Sequence, residues 1–135
     1  EFSYLNVDVS MSTINLTLHK KLINEVQAIF DDLAEIKFGL EWTSGGGSIR
    51  GWGTDSGYSG KFYHSSHCYG HTLDINVDAN PCPQCGVGSE SDYAPGVNPQ
   101  SVTPQVVEIF KKHGFFWGGD WTSPKDYMHF SYFDH

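Results

Sequence analysis

Apolar residues recur at helical spacing near the start of the chain. Over residues 17–33 an apolar residue falls at every third or fourth position, and polar residues fall mostly on the opposite side. The apolar positions are Leu18, Leu22, Val26, Ile29, Phe30 and Leu33. This pattern predicts an amphipathic helix over residues 17–33, and Gly39, a turn or two later, is the expected stop signal.

A second helix is marked at both ends. Thr103 is a typical N-cap residue, and Pro104 suits the first helical position. An apolar face follows, then basic residues of the kind found in a last turn, and Gly114 ends the segment. The face and last turn consist of Val106, Val107, Phe110, Lys111, Lys112 and His113.

Two further segments have strand patterns. Residues 71–77 alternate polar Thr72, Asp74 and Asn76 with apolar Leu73, Ile75 and Val77, and residues 128–133 form the second candidate strand. Residues 53–66 and 78–100 are rich in turn-forming residues and show no period, which predicts loops. Helices and strands interspersed without βαβ spacing predict an α+β fold.

Length and composition fit one folded domain. The chain has 135 residues, 39% of them hydrophobic, and it shows no repeat or linker, so we expect a single domain over residues 1–135. It begins with Glu1 and Phe2 rather than Met, so we expect a piece excised from a longer protein. No run reaches the ~18 apolar residues of a membrane span, and there is no charged-then-apolar leader.

The charge balance argues against nucleic-acid binding. Eight Lys and Arg residues against 16 Asp and Glu residues give a net charge of −8. Proteins that follow a phosphate backbone derive much of their affinity from clustered Lys and Arg. The sequence has no basic stripe, so we expect no nucleic-acid partner.

The cysteine count leaves three alternatives open. Three cysteines cannot all pair within the chain. Cys82 and Cys85 form a Cys-Pro-Gln-Cys motif, which fits a local disulfide, two free thiols or a second metal site. A zinc ribbon would need another Cys-x-x-Cys pair, and a thioredoxin-like site would need a βαβ context; both are absent. Cys68 is interpreted as a small packed residue.

Histidines and acids cluster in two short segments. The first is SSHCYGHTLD, residues 65–74; the second is WGGDW, residues 117–121, followed by DYMH, residues 126–129. A catalytic zinc site needs three imidazole or carboxylate ligands and one open position. His67, Asp74 and His129 could supply these ligands, and Asp126 lies close enough in sequence to act as a general base on a bound water.

These two segments resemble the motifs of the M15 family of zinc D-alanyl-D-alanine carboxypeptidases and L-alanyl-D-glutamate endopeptidases. The first is similar to the family's Ser-x-His-x-x-Gly-x-Ala-x-Asp motif, and the second to its Trp-Gly-Gly-Asp-Trp block with a closing acid-x-x-His. The likeness covers about residues 50–130 and is strongest to the phage-endolysin-like branch. Thr72 replaces the usual Ala, the base is Asp rather than the Glu of the dipeptidase branch, and the insertion with Cys82 and Cys85 has no counterpart in the motif.

The resemblance implies a role for each matching residue. His67, Asp74 and His129 would bind one zinc ion, and Asp126 would be the catalytic acid and base. By the same resemblance, Arg50 would bind substrate and Ser66 would be a hydrogen-bonding support. Asp120 is the alternative candidate for the base, but between Gly119 and Trp121 it is interpreted as an acid that fixes its loop through hydrogen bonds. Trp121 is interpreted as a wall of the core or cleft. His64 and His71 are interpreted as neighbours of the site rather than ligands.

The family likeness implies a small antiparallel sheet with flanking helices, shared with the Hedgehog signalling domain. It also implies hydrolysis of an amide bond in the peptidoglycan stem peptide by a monomer that acts outside the cell, secreted or released by phage lysis. An L-alanyl-D-glutamate endopeptidase is favoured over a D-alanyl-D-alanine carboxypeptidase, because short Ser/Gly/Tyr-rich loops suggest a cleft open to mid-chain peptide.

Two other functions are consistent with parts of the sequence. A non-catalytic zinc domain could bind cell wall or another protein, although such a module has no need of a base at Asp126. A redox domain could use Cys82 and Cys85, and its activity would then depend on thiols.

Overall fold

Two antiparallel sheets and two helices make up the part of the chain that the computed structural model describes, residues 2–45 and 70–132. The elements are β1 Phe2–Asp8, β2 Thr13–His19, α1 Ile23–Glu35, β3 Thr43–Gly45, β4 Thr72–Ile75, α2 Pro104–Lys112, β5 Phe116–Trp117 and β6 His129–Ser131. Strands β1 and β2 form a hairpin, and the other four form a sheet in the order β3-β4-β6-β5. The α+β prediction is confirmed.

The predicted first helix begins too early. Residues 13–19 form β2, which pairs with β1 from Phe2↔His19 to Asp8↔Thr13, and α1 starts at Ile23 after a 3₁₀ turn. The alternation of Leu16 and Leu18 with polar neighbours buries both leucines against the core, at 1% and 0% exposure. Strand pairing therefore prevailed over the helical spacing from Leu18 to Leu22.

The predicted stop at Gly39 is also wrong. Helix α1 ends at Glu35, and Lys37 adopts the left-handed conformation with φ of 59°. The N–H of Phe38 donates to the Leu33 carbonyl at 3.0 Å, and the N–H of Lys37 donates to the Ala34 carbonyl at 3.0 Å. This pair of bonds is a Schellman motif, which satisfies the last helical carbonyls without a glycine.

Helix α2 has the predicted boundaries. The Thr103 hydroxyl accepts the N–H of Val106 at 3.3 Å, and Pro104 is the first helical residue. Gly114 has φ of +88°, and the N–H of Phe115 returns to the carbonyl of Phe110 at 3.0 Å. The cap residues thus define this helix at both ends, as expected from their local chemistry.

One hydrophobic core joins the four-stranded sheet, the hairpin and both helices. Leu73, Ile75 and Phe130 lie on the core side of β4 and β6 and are fully buried. The Phe130 ring stacks on the Phe110 ring of α2 with centroids 3.7 Å apart. The sheet is therefore anchored through one face, and its opposite face is free to carry polar chemistry.

The predicted strands are present but shorter. Residues 71–77 contribute only Thr72–Ile75 to β4, and the described residues of the 128–133 segment contribute only His129–Ser131 to β6. After β4 the chain forms three 3₁₀ turns, Val77–Ala79, Pro83–Cys85 and Glu90–Asp92, and Cys82 is disulfide-bonded to Cys85. The local disulfide is thus the alternative that the structure adopts.

Asn76 fixes the end of β4, two residues after Asp74. Its backbone is left-handed with φ of 44°, and its side chain is buried. The Oδ1 atom accepts the N–H groups of Glu41 and Trp42 at 2.7 and 3.0 Å. The Nδ2 atom donates to the carbonyls of Gly39 and Gln100 at 2.9 and 3.1 Å. One side chain therefore joins three separate segments.

Neither α1 nor α2, the helices of the described ranges, has the length and apolar character that crossing a membrane requires.

Asn76→Asp should destabilise the fold by about 3 kcal/mol, because it removes two buried donors and sets a carboxylate against two carbonyls. Urea unfolding followed by circular dichroism measures the change. The matched control is Asn15→Asp at an exposed position of the hairpin, where the side-chain amide donates to Asn6; there we expect a change within about 0.5 kcal/mol. Equal unfolding midpoints for the two variants would contradict the role of Asn76.

Candidate active site

Three predicted site residues, Arg50, Ser66 and His67, lie outside the described residues, as does His64. Their roles stay predictions. The described part of the candidate site contains Asp74, Asp126 and His129, together with the Trp117–Trp121 block.

Asp74 and His129 are direct neighbours across the sheet. The antiparallel register of β4 and β6 pairs Asp74 with His129, and the register of β3 and β4 pairs Ser44 with Asp74. The Nδ1 atom of His129 lies 3.2 Å from Oδ1 of Asp74. Because facing residues project to the same side, Ser44, Asp74 and His129 form a row on the face opposite Leu73 and Phe130.

The donor atoms of this pair fit a zinc site. Imidazole nitrogen and carboxylate oxygen are both zinc ligands, and two such atoms on one tetrahedral ion lie about 3.3–3.5 Å apart, given bond lengths of about 2.0–2.2 Å. The observed 3.2 Å is close to that separation. His129 is 5% exposed, so water access to the pair is restricted. The described residues could thus supply two of three ligands.

Asp126 lies in the turn that leads into β6. Its N–H donates to the Gly118 carbonyl at 3.1 Å, and its own carbonyl accepts the N–H of His129 at 3.2 Å. Burial raises the pKa of its side chain to about 6, and the negative charge of Asp74 adds to this effect. The charge of His129 and a hydrogen bond from the Met128 backbone oppose it. A carboxyl with a pKa close to neutral is suited to proton transfer.

One oxygen of the Asp126 carboxyl is available to a ligand. The Oδ1 atom of Asp126 is buried and has no hydrogen-bond partner within residues 2–45 and 70–132. Burying an acceptor without a partner is unfavourable by about 1–3 kcal/mol. Such an atom is typical of a functional position, where a ligand or reacting group supplies the missing contact.

Gly118 and Gly119 allow the Trp-Gly-Gly-Asp-Trp block to pack closely against the site. A Cβ atom on Gly118 would overlap the carbonyl oxygen of Asp126 and would lie 3.1 Å from the Cβ of Asp126 and 3.2 Å from that of His129. A Cβ atom on Gly119 would overlap the Trp117 ring. The indole N–H of Trp117 donates to the Tyr127 carbonyl at 2.8 Å. The block is thus a backbone support for the Asp126 turn.

The two remaining residues of the block differ in environment. Asp120 is half exposed and forms an ion pair with Lys111 of α2, with Oδ2 and Nζ 2.8 Å apart. The Trp121 ring lies beside the His129 ring, with centroids 5.2 Å apart. Trp121 therefore contacts the candidate metal ligand directly.

His71 precedes β4, and its carbonyl accepts the N–H of Tyr132 at 2.9 Å.

The 78–100 segment supports the Asp126 turn in a way that the sequence did not reveal. The N–H of Tyr127 donates to the Pro81 carbonyl at 3.1 Å, and its hydroxyl donates to Oε2 of Glu90 at 2.7 Å. The ring of Tyr127 stacks on Tyr93 with centroids 4.0 Å apart. The bond to Glu90, together with burial, raises the pKa of Tyr127 to about 12, so its hydroxyl remains a donor at neutral pH.

The disulfide lies beside the same turn. The two sulfur atoms of Cys82 and Cys85 and a carboxylate oxygen of Asp126 lie within 4.8 Å of one another. Cys82 is buried and Cys85 is exposed. The sequence signals the Cys-x-x-Cys pair but not its position, because about 40 residues separate it from Asp126.

An imidazole–carboxylate pair beside a second carboxyl of raised pKa is typical of metal-dependent hydrolytic sites. The model of the M15 peptidase family described as D-alanyl-D-alanine carboxypeptidase matches residues 59–132, more than half of the chain. The chain belongs to the M15 peptidase family.

A curated relative is the peptidoglycan L-alanyl-D-glutamate endopeptidase CwlK of Bacillus subtilis. It is 37% identical over 65 residues, which cover 48% of this chain and 37% of the relative. The match therefore spans little more than a third of that protein. No solved structure matches the chain.

Gly118→Ala should destabilise the protein by about 1–3 kcal/mol, because the added methyl group overlaps the Asp126 backbone and displaces the turn. Thermal unfolding measures the loss. Gly39→Ala is the matched control, since among the described residues its Cβ would meet only the side chain of Gln100, at 4.0 Å. If Gly118→Ala unfolds at the same temperature as the parent, the close approach of Gly118 to Asp126 does not constrain the fold.

Proposed function

We propose that this chain is a zinc-dependent peptidase that hydrolyses an amide bond in the peptidoglycan stem peptide. The observation that carries the proposal is the pair of the half-buried Asp74 and the buried His129, 3.2 Å apart, next to the Asp126 carboxyl. Membership of the M15 peptidase family and the likeness to CwlK support it. His67 is the proposed third ligand.

Zinc, when bound, polarises the scissile carbonyl and lowers the pKa of its water. Asp126 accepts the proton of the attacking water, because a carboxyl with a pKa of about 6 is largely ionised at neutral pH. The same carboxyl then donates that proton to the leaving amine. No side chain forms a covalent bond with the substrate in this scheme.

The other proposed site residues bind substrate or support the metal ligands. Arg50 stabilises the oxygen that becomes negative during attack, as positioned cations do in acyl-transfer reactions. Ser66 supports the neighbouring proposed ligand, His67, by hydrogen bonding. Trp121, in ring contact with His129, forms a wall of the cleft. Asp120 is assigned a structural part, consistent with its ion pair to Lys111.

We further propose that residues 1–135 form one catalytic domain of a longer protein, with the sheet-and-helix fold shared by Hedgehog and D-alanyl-D-alanine peptidase domains. The small antiparallel sheets and flanking helices are compatible with that fold. The domain acts as a monomer at the cell wall, after secretion or release by phage lysis.

Asp126→Asn should lower kcat on cell-wall peptide by about 10²- to 10⁴-fold, because an amide cannot accept the proton of the water. The variant should still bind one zinc per chain, since the three proposed ligands are intact. Steady-state hydrolysis and metal analysis of the same sample measure both quantities.

Asp120→Asn is the matched control for this experiment. It makes the same change to a half-exposed acid of the neighbouring block, and activity should stay within about twofold because a surface ion pair contributes little. Parent-like activity of Asp126→Asn would rule out Asp126 as the base. A zinc-loaded parent that binds cell wall but never cleaves it would identify a binding module instead.

A digest of purified peptidoglycan should yield fragments with new N-terminal D-Glu, read by mass spectrometry. This result is expected because the endopeptidase CwlK is a relative and the proposed cleft admits mid-chain peptide. A stem peptide truncated after D-Glu serves as a control, because it contains the L-Ala–D-Glu bond and lacks D-Ala. Release of free D-Ala without new D-Glu termini would assign the carboxypeptidase reaction.

A further inference from the structure

The Cys82–Cys85 motif is a chemical feature of the sequence that the proposed hydrolysis does not use. We propose that Cys82, Cys85 and Asp126 form a second metal site, which binds a thiophilic divalent cation when the disulfide is reduced. The site does not depend on the proposed hydrolysis, because its ligands are defined by geometry and donor chemistry alone.

The three donor groups already lie close enough to share an ion. Their ligand atoms are all within 4.8 Å of one another, and the Cα atoms of the two cysteines are 5.2 Å apart. Two thiolates on one tetrahedral zinc have sulfurs about 3.8 Å apart, from Zn–S bonds of about 2.3 Å. Small side-chain rotations are sufficient to reach that arrangement from the reduced state.

The turn that carries the cysteines is held by its backbone as well as by the disulfide. The N–H of Cys85 donates to the Cys82 carbonyl at 2.9 Å, and the N–H of Gly86 donates to the Pro83 carbonyl at 3.0 Å. Cys82 and Val87 exchange backbone hydrogen bonds at 2.9 and 3.0 Å. After reduction, these bonds keep both thiols on the same side of the turn, as a Cys-x-x-Cys metal site requires.

Asp126 is presented to the sulfurs by a different segment. The backbone bond from Tyr127 to Pro81, the residue before Cys82, ties the Asp126 turn to the cysteine turn. The buried Oδ1 atom of Asp126 has no hydrogen-bond partner among the described residues. A cation on the two thiolates would gain an anionic oxygen as third ligand, and the exposed Cys85 gives it a path from solvent.

The chemistry balances with a dithiol reductant. The dithiol supplies two electrons and two protons, the bond between the Cys82 and Cys85 sulfurs breaks, and the reductant leaves as a cyclic disulfide. Binding of the cation then releases the two thiol protons to solvent.

The site has a consequence that does rest on the proposed function. Asp126 bound to a second cation cannot accept a proton from water. The disulfide form therefore leaves the base free, and the reduced form loses hydrolysis when the cation binds.

Cadmium titration of the reduced protein tests the site directly. The protein carries Cys68→Ser, so that Cys82 and Cys85 are the remaining thiols, and the reductant is removed before titration. We expect one thiolate-to-cadmium charge-transfer band in the ultraviolet that saturates at one ion per chain. The oxidised protein should show no such band.

Four variants separate this site from the proposed zinc centre. Cys85→Ser, at an exposed position, should abolish the saturating band. Asp126→Asn should weaken cadmium affinity at least tenfold, whereas Asp78→Asn, an exposed acid of the same segment, should leave it unchanged. His129→Ala should leave the band intact, because an imidazole site without thiolate contributes no such absorption. Absence of the band in the reduced protein, or equal affinities for Asp126→Asn and the parent, would overturn the proposal.

Activity assays keep the two proposals distinguishable. Excess zinc should lower hydrolysis by the reduced protein at least tenfold and should leave the oxidised protein and the Cys85→Ser variant unchanged. If the zinc-loaded reduced protein hydrolyses at an unchanged rate, the inference that the second cation binds Asp126 and blocks the base is wrong. If the oxidised protein fails to hydrolyse cell wall at all, the proposed function fails, and the cadmium titration still decides on the second site.

Discussion

The antiparallel register of β4 and β6 is the constraint on which both the core and the candidate site depend. It sets Asp74 opposite His129 and Leu73 opposite Phe130. Because side chains alternate between the two faces of a strand, a slip of one residue would expose the apolar pair and bury the polar pair in the core. The burial of Leu73 and Phe130 therefore also fixes the position of the candidate metal ligands.

Local chemistry made part of the fold predictable. Helix α2 was predictable because Thr103 caps its N-terminus and Gly114 follows its C-terminus. Both signals lie next to the helix in the sequence. The start of α1 was not, because Leu18 fits both a helical period with Leu22 and the end of the strand in which it alternates with polar residues. Pairing with β1 decided between the two, and the sequence of a single segment does not contain that information.

Some residues of the candidate site were also predictable from the sequence, and others were not. Asp74, Asp126 and His129 could be selected from motif spacing, and β4 and β6 bring two of them into contact. The reason for Gly118 could not be inferred, because it is the overlap that any Cβ would make with Asp126. The support from Pro81, Tyr93 and Glu90 was equally hidden, since those residues belong to a segment with no periodic pattern. Contacts between distant segments depend on the completed fold.

The support of Asp126 through its backbone explains how the carboxyl that we propose as the base can be stable in this position. A side chain fixed by several hydrogen bonds to its oxygens would have a low pKa and would be a poor proton acceptor. Here Gly118 and His129 hold the main chain of Asp126, while Tyr127 fixes the next residue to Pro81. The turn is thus rigid, yet one carboxyl oxygen keeps its capacity to bind. The stacking and hydrogen bonding of the neighbouring Tyr127 offset the unfavourable burial of that oxygen. The stabilising contacts thus belong to Tyr127, and the proposed proton transfer to the adjacent Asp126.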